Sequence, residues 1–264
     1  MNKVKISQNS VASIYRIEEQ DSIYILKESS NSDLLKKEAL MLEYLRSHSL
    51  RVPKTLFLNE GQLATEYIRN NGSITKKIEK IIAHDLANLH KNSSDYFGFS
   101  EDTSIGPFIQ PNDKSVSWLE FFAQSRILAF SKECYNENRI DKKLLSRIEK
   151  LLQKIDLYLF EPKKSSLIHG DIWGGNILIN NNTPYYIDPA IYYAHHEMEL
   201  AFIAMFHTFS NDFFHYYDEL YKIEEGFFQE RKDLYNIYPY LVHVRAFGGS
   251  YIDSLSAILK RYGV

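Results

Sequence analysis

Asp171, Asn176 and Asp188 crowd a short central stretch of this chain. Two lie in His169-Gly170-Asp171-Ile172-Trp173-Gly174-Gly175-Asn176, and the third follows in Tyr186-Ile187-Asp188-Pro189. Two carboxylates and one carboxamide form a hard, oxygen-only donor set. Mg²⁺ favours such sets, taking one or two carboxylates and completing its shell with phosphate oxygens and water. The chemistry on offer is that of a phosphate group held by a dication. A second candidate pair lies far upstream, where Lys27 and Glu38 each stand in an otherwise apolar row.

Those side chains need elements to hold them. Ile177–Ile179 and Tyr185–Ile187 are apolar runs around Asn180-Asn181-Asn182-Thr183-Pro184, a hairpin with a polar turn. Pairing symmetric about Asn182 would set Asn176 opposite Asp188 at the open end, with Asp171 brought in by the glycine-containing loop before them. Near the N-terminus, Val4–Ile6, Ile14–Ile17 and Ile23–Lys27 read as strands, and no glycine occurs before Gly61. Ile23, Ile25 and Lys27 alternate onto one strand face. Asn31 and Ser32 open a helix with Leu34, Leu35, Met41, Leu42 and Leu45 on one stripe, and Glu38 falls within it. A carboxylate on a buried stripe needs a partner, for which Lys27 is the candidate. A further strand pair is expected over Lys54–Leu58 and Gln62–Tyr67, turning at Asn59-Glu60-Gly61.

From Ser73 the pattern becomes helical. Ile74, Ile78, Ile81, Ile82 and Leu89 form one amphipathic face, and Trp118–Phe130 and Asp141–Leu159 suggest two more helices. Phe97–Ser117, with two glycines and two prolines, reads as a long connection. The aromatic-rich C-terminal third reads as packed core. The expected fold is a two-lobed α+β molecule. Residues 1–70 would form a small antiparallel sheet with one helix and residues 71–264 a mostly helical lobe, the join falling between Ile68 and Gly72.

Composition sets the outer bounds. The 264 residues are 44% hydrophobic and 25% charged, which supports a sizeable core and argues against disorder. A formal charge of -3 argues against nucleic acid as a partner. Cys134 is the single cysteine, so an internal disulfide and a cysteine-rich metal cage are both excluded. The polar opening at Met1–Lys5 shows no signal peptide, and no run approaches the ~18 apolar residues of a membrane span. The expectation is a cytoplasmic protein with no membrane partner.

The His-x-Asp-x-x-x-x-Asn spacing of residues 169–176 resembles the catalytic loop of protein-kinase-type phosphotransferases. Asp188 stands in the place of the second metal-binding aspartate, and Lys27 and Glu38 supply the matching upstream pair in order. More of the chain resembles one branch of that fold. The segments are Asp85-Leu86-Ala87-Asn88-Leu89-His90, Phe97-Gly98-Phe99 with Ile105-Gly106, and Trp118-Leu119-Glu120-Phe121-Phe122. Ile187-Asp188-Pro189-Ala190-Ile191-Tyr192-Tyr193 through Glu197, and Tyr235 to Tyr251 with Phe247-Gly248, extend the likeness. Together with the 169–176 loop they are similar to the fructosamine kinase (ketosamine-3-kinase) family, relatives of the aminoglycoside phosphotransferases. Trp173, with the Asp-Pro-Ala and Tyr-Tyr run, separates that family from choline and antibiotic kinases.

The resemblance implies ATP- and Mg²⁺-dependent phosphorylation of a sugar hydroxyl, at O3, on a ketosamine such as ribulosamine or fructosamine. The adduct, small or protein-bound, would then release its amine, a deglycation role. By the same resemblance Asp171 is the catalytic base, Asn176 and Asp188 are Mg²⁺ ligands, and Lys27 touches the ATP phosphates, held by Glu38. Glu66-Tyr67-Ile68 is the hinge whose backbone meets adenine, and Trp173 packs on the sugar. Two departures stand out. The first loop, Ser7-Gln8-Asn9-Ser10-Val11-Ala12-Ser13, lacks the glycines that let backbone N–H groups approach phosphates, and Glu199 replaces an aspartate common in the family.

Two alternatives are a kinase of another small hydroxylated amine, aminoglycoside- or choline-kinase-like, and a non-catalytic nucleotide-fold binding module. The glycine-free loop motivates the second. Other residues read as supporting. His195 and His196 lack the spacing of a zinc motif and suit surface or hydrogen-bonded roles, and His90 closes a helix where a cation suits the dipole. His169 braces its loop, and Cys134 sits among polar neighbours with no partner for nucleophilic work. No Gly-Lys-Ser/Thr sequence exists, so a Walker-type site is excluded.

Overall fold

The computed structural model describes residues 1–19 and 22–264. Strands β1 (Asn2–Gln8), β2 (Ser13–Glu19) and β3 (Ser22–Glu28) precede helix α1 (Ser32–Ser47), and β4 (Thr55–Asn59) and β5 (Gln62–Glu66) follow it. The five strands form one antiparallel sheet in the order β1-β2-β3-β5-β4. Alternation gives the sheet two different faces. On one, Ile17 lies beside Tyr24 and Leu26 beside Ala64, so Tyr15 and Tyr24 cover a small buried cluster. On the other, Ile14, Lys27 and Leu63 share a row, and Leu63 packs against Leu35 and Ala39 of α1. Lys27 is thus carried on the face that α1 covers. Asn31 caps α1 by accepting the Leu34 N–H, worth ~1 kcal/mol.

Beyond the sheet the chain is mainly helical. Helix α2 (Lys76–His90), capped by Thr75, is followed by a short hairpin, β6 (Thr103–Ile105) and β7 (Phe108–Gln110), inside the stretch expected as a plain connection. The single helix expected over Trp118–Phe130 is three pieces: α3 (Trp118–Phe121), a π-helical turn (Phe122–Leu128) and α4 (Ala129–Asn136). From that turn Arg126 projects into the core, donating to Pro111 O and Asn112 Oδ1 and lying 3.9 Å from the Tyr192 ring. Helix α5 (Lys142–Leu152), capped by Asp141, ends earlier than its periodicity suggested. Strand β8 (Ser166–Ile168), the hairpin β9 (Ile177–Asn180) and β10 (Thr183–Tyr186), and β11 (Tyr192–Ala194) form the centre. Helices α6 (Glu197–Met205), α7 (Asn211–Asp218), α8 (Lys232–Tyr235), α9 (Ile237–Phe247) and α10 (Ser250–Arg261) complete the chain.

The core lies in this second part, where Trp118, Phe121, Phe122, Tyr217, Tyr235 and Tyr238 are fully buried, so the C-terminal aromatics do pack a core. Cys134 belongs to that core too, its Sγ 3.4 Å from Leu241 O, rather than to the polar surroundings its neighbours in sequence suggested. Burial pushes its thiol up to about 12. The segment joining sheet and helices is fastened to the central hairpin. Asn71 and Gly72 both donate to Ile179 O, Ile179 donates to Asn70 Oδ1, and Asn181 donates to Asn71 Oδ1. Gly72 fits only because it lacks a side chain; a Cβ would lie 2.6 Å from Ile179 Cγ2. Among the described residues, no helix is long and apolar enough to cross a membrane.

Candidate active site

Strand β8 delivers the chain to His169, after which Gly170 takes φ +85°. A side chain there would run into the Ala190 carbonyl, so glycine is required for the turn that presents Asp171. His169 is buried and braces the turn, its Nδ1 accepting the Asp171 N–H at 3.3 Å. A tight turn then returns the chain, Asn176 N–H donating to Trp173 O at 2.9 Å. Asn176 Nδ2 donates to Asp171 Oδ2 at 2.8 Å and to Asp171 O at 3.0 Å.

The hairpin register differs from the symmetric expectation. Thr183 pairs with Asn180 and Tyr186 with Ile177, while Ile187 N–H donates to Asn176 O. The turn is therefore two residues, Asn181 and Asn182, at φ +49° and +59°. Asparagine tolerates this left-handed pair, which matches the strand twist. Asp188 consequently falls one place beyond the residue opposite Asn176, and it too has a positive φ, +53°.

Lys27 Nζ lies 2.6 Å from Glu38 Oε1 and 2.5 Å from Asp188 Oδ1. The expected pair is real, and it is a triad. Burial opposes the charge on Lys27, but Asp188 and Glu38 together outweigh it and hold the ammonium above its ordinary value. Asp188 resists burial through Lys27 and sits below the usual carboxylate range. Glu38 goes the other way, since its desolvation exceeds the pull of Lys27 and Asp188 adds repulsion. Asp171, with no cation beside it, is pushed up to about 7 by burial and by Asp188, against the hydrogen bond from Asn176.

These side chains border one cavity of about 710 Å³, within the range of small-molecule sites. Lys27, Glu38, Asp171, Asn176 and Asp188 line it, with residues 9–12 of the β1–β2 loop to one side. Trp173 lines it as well, 39% exposed, its indole folded over Gly175 and 5.6 Å from Phe206. Glu66, Tyr67 and Ile68 are not among its walls. Glu66 is exposed at the end of β5 with its N–H on Lys54 O, Tyr67 lies under the Arg16 guanidinium, and Ile68 is buried.

The residues behind the loop do more than their sequence context suggests. Glu199 is fully buried and accepts Gly170 N–H at 2.6 Å, His169 N–H at 3.2 Å and His90 Nε2 at 2.8 Å. His90 is no exposed helix cap; it is buried between Glu199 and the Tyr217 hydroxyl, 2.6 Å from its Nδ1. The available signal was a carboxylate inside the apolar run Met198-Glu199-Leu200-Ala201. His195 and His196 are buried and take the hydrogen-bonded role rather than the surface one. His196 Nε2 donates to Lys222 O at 3.1 Å and His195 Nδ1 accepts the Glu197 N–H at 3.2 Å, while the Glu197 carboxylate is taken by Arg231 through two 2.7 Å contacts.

Residues 1–263 match the fructosamine kinase family. The chain belongs to that family. It is 30% identical to the chloroplastic protein-ribulosamine 3-kinase of Arabidopsis thaliana, over 96% of this chain and 79% of that one. It is also 30% identical to the ketosamine-3-kinase of Mus musculus, over 90% and 75%. A crystal structure described as a fructosamine-3-kinase, from Thermobifida fusca, superposes with a TM-score of 0.90 at 28% identity, covering 98% of this chain and 92% of that one. An aminoglycoside phosphotransferase, APH(4)-Ia, shares the fold at a TM-score of 0.68 and 15% identity, over 100% and 95%. The two-lobed kinase-like fold expected from the sequence is thus the fold of this fructosamine kinase family member, and the chain is an ATP-dependent kinase.

Proposed function

We propose that the chain transfers the γ-phosphoryl group of ATP to O3 of a ketosamine such as ribulosamine or fructosamine, small or protein-bound, so that the adduct is destabilised and its amine released. Relatives named for ribulosamine and ketosamine support the acceptor class. One observation carries the reading: Asp171 and Asn176, 2.8 Å apart, share a cavity with the Lys27–Asp188 pair.

Each residue then has a task. Asp171 accepts the proton of the acceptor hydroxyl, and a carboxyl near 7 is suited to that exchange at neutral pH. Lys27 neutralises phosphate charge, and Glu38 fixes its direction. The Asn176 oxygen and the Asp188 carboxylate are the hard donors that fit Mg²⁺, which when bound supplies charge neutralisation for the triphosphate. Trp173 offers a flat apolar surface to the sugar. Residues 1–70 cover the nucleotide and residues 71–264 hold the catalytic and acceptor groups. The backbone of Glu66, Tyr67 and Ile68, at the join, would meet adenine only at a point beyond the walls of the cavity of about 710 Å³, with the Glu66 N–H already held by Lys54 O. Positioning and electrostatics do most of the work, since in-line phosphoryl transfer needs little covalent help.

The test is a panel of synthetic ketosamines with ATP and Mg²⁺, with the phosphate located by NMR. Phosphate on O3 of a ketosamine is the expected product. Turnover confined to aminoglycosides or amino alcohols, or phosphate on another oxygen, would remove the assignment.

A further inference from the structure

Asn9 shapes the glycine-free loop between β1 and β2. Its side-chain oxygen accepts two backbone N–H groups, from Val11 at 2.9 Å and from Ala12 at 2.8 Å. Its own N–H donates to Ala12 O at 3.1 Å, and the Ser29 hydroxyl holds Val11 O at 2.6 Å. Successive N–H groups aimed at one oxygen make a nest, a concavity that binds anions. This nest lies on the wall of the same cavity as Lys27 and Asp188. Its present occupant is a neutral carboxamide from the loop itself.

We propose that Asn9 is a displaceable stand-in for a phosphate oxygen. Between turnovers it fills the nest and keeps a loop without glycine in the shape a triphosphate needs; the nucleotide then displaces it. A charged phosphate oxygen is the stronger acceptor, so the exchange is favourable, but the two bonds to Asn9 must first be given up. Asn9 therefore preserves loop geometry and weakens nucleotide affinity at once. The inference rests on the nucleotide reading of the cavity.

Calorimetric titration of the full chain with ATP and Mg²⁺ tests it on the parent, Asn9→Ala and Asn9→Asp. Asn9→Ala opens the nest while the Asn9 N–H on Ala12 O and the Ser29 hydroxyl on Val11 O still hold the loop, and it should bind about threefold to tenfold more tightly. Asn9→Asp keeps the turn but places a negative charge in the nest, and should bind about tenfold more weakly or worse. If Asn9 served only to order the loop, the pattern would reverse: Asn9→Ala would bind more weakly and Asn9→Asp like the parent. That reversal, with the parent binding normally, removes the role of Asn9 and leaves the kinase reading intact. A parent that binds no nucleotide overturns both. Melting each variant without nucleotide checks that it is folded, and Asn9→Gly provides a second way to empty the nest, with the same tightening expected.

Discussion

The carboxylate of Glu199 accepts the backbone N–H of Gly170 at 2.6 Å, one residue before Asp171. Glu199 is fully buried in α6 and is also held by His90, so a fixed charge from the core sets the course of the 169–176 loop. Glu199→Gln would turn an NH₂ group toward N–H donors. We expect turnover to fall about tenfold or more and the fold to lose about 1–3 kcal/mol, with ATP affinity little changed. Kinetics and calorimetry on one preparation separate these effects; equal losses in kcat and ATP binding would contradict a role confined to the loop.

Asp171→Asn keeps the shape of the side chain and removes its basicity. Turnover should drop by about 10²–10⁴ while ATP still binds as in the parent. A variant that retained near-parental kcat would show that the hydroxyl proton leaves by another route.

Lys27→Met leaves Glu38 and Asp188 without their shared cation. Nucleotide affinity should fall about tenfold or more, and stability by about 1–3 kcal/mol, because Glu38 is mostly buried while Asp188 is partly open to water. Adding Glu38→Leu should restore part of the stability but none of the affinity, as chemical denaturation and titration of the double variant would reveal. Recovery of both would mean that Lys27 is purely structural.

His196 carries a pH signature. It donates from Nε2 to Lys222 O at 3.1 Å, and burial, with His90 adding repulsion, lowers it from its ordinary 6.5 to about 3. Below about pH 6.5 the unfolded chain takes a proton that the folded chain refuses, so this histidine costs stability as pH falls. His196→Gln cannot titrate. It should be less stable than the parent at pH 8, and the gap should narrow by about 1 kcal/mol per pH unit below 6. Denaturant unfolding at several pH values measures this, and a constant gap would contradict the assignment.

Much of the site could be read from the chain because charge in an apolar period is conspicuous. Lys27 in a strand row and Glu38 on a helix stripe each demanded a partner, and the two do meet. That Asp188 joins them could not be read locally, since the contact links residues 161 positions apart. The hairpin was visible, but its register turned on two consecutive asparagines entering the left-handed region, which a run of four polar residues, Asn180 to Thr183, concealed. His90 was misjudged for a related reason. A histidine at a helix end favours the dipole only if that end is exposed, and here Tyr217 and Glu199 close over it. The absence of glycine in the first loop was plain from the start, whereas the side chain that compensates for it appeared only with coordinates.

The stitching of Asn70, Asn71 and Gly72 to Ile179 and Asn181 has a mechanical consequence. A strip of backbone tied to the hairpin that leads from Asn176 to Asp188 must travel with it as one piece. Whatever swing lets ATP enter and ADP leave is thereby denied to those three residues. Any pivot of the sheet would have to bend upstream of them, in the few bonds just after β5, over a floor that stays put.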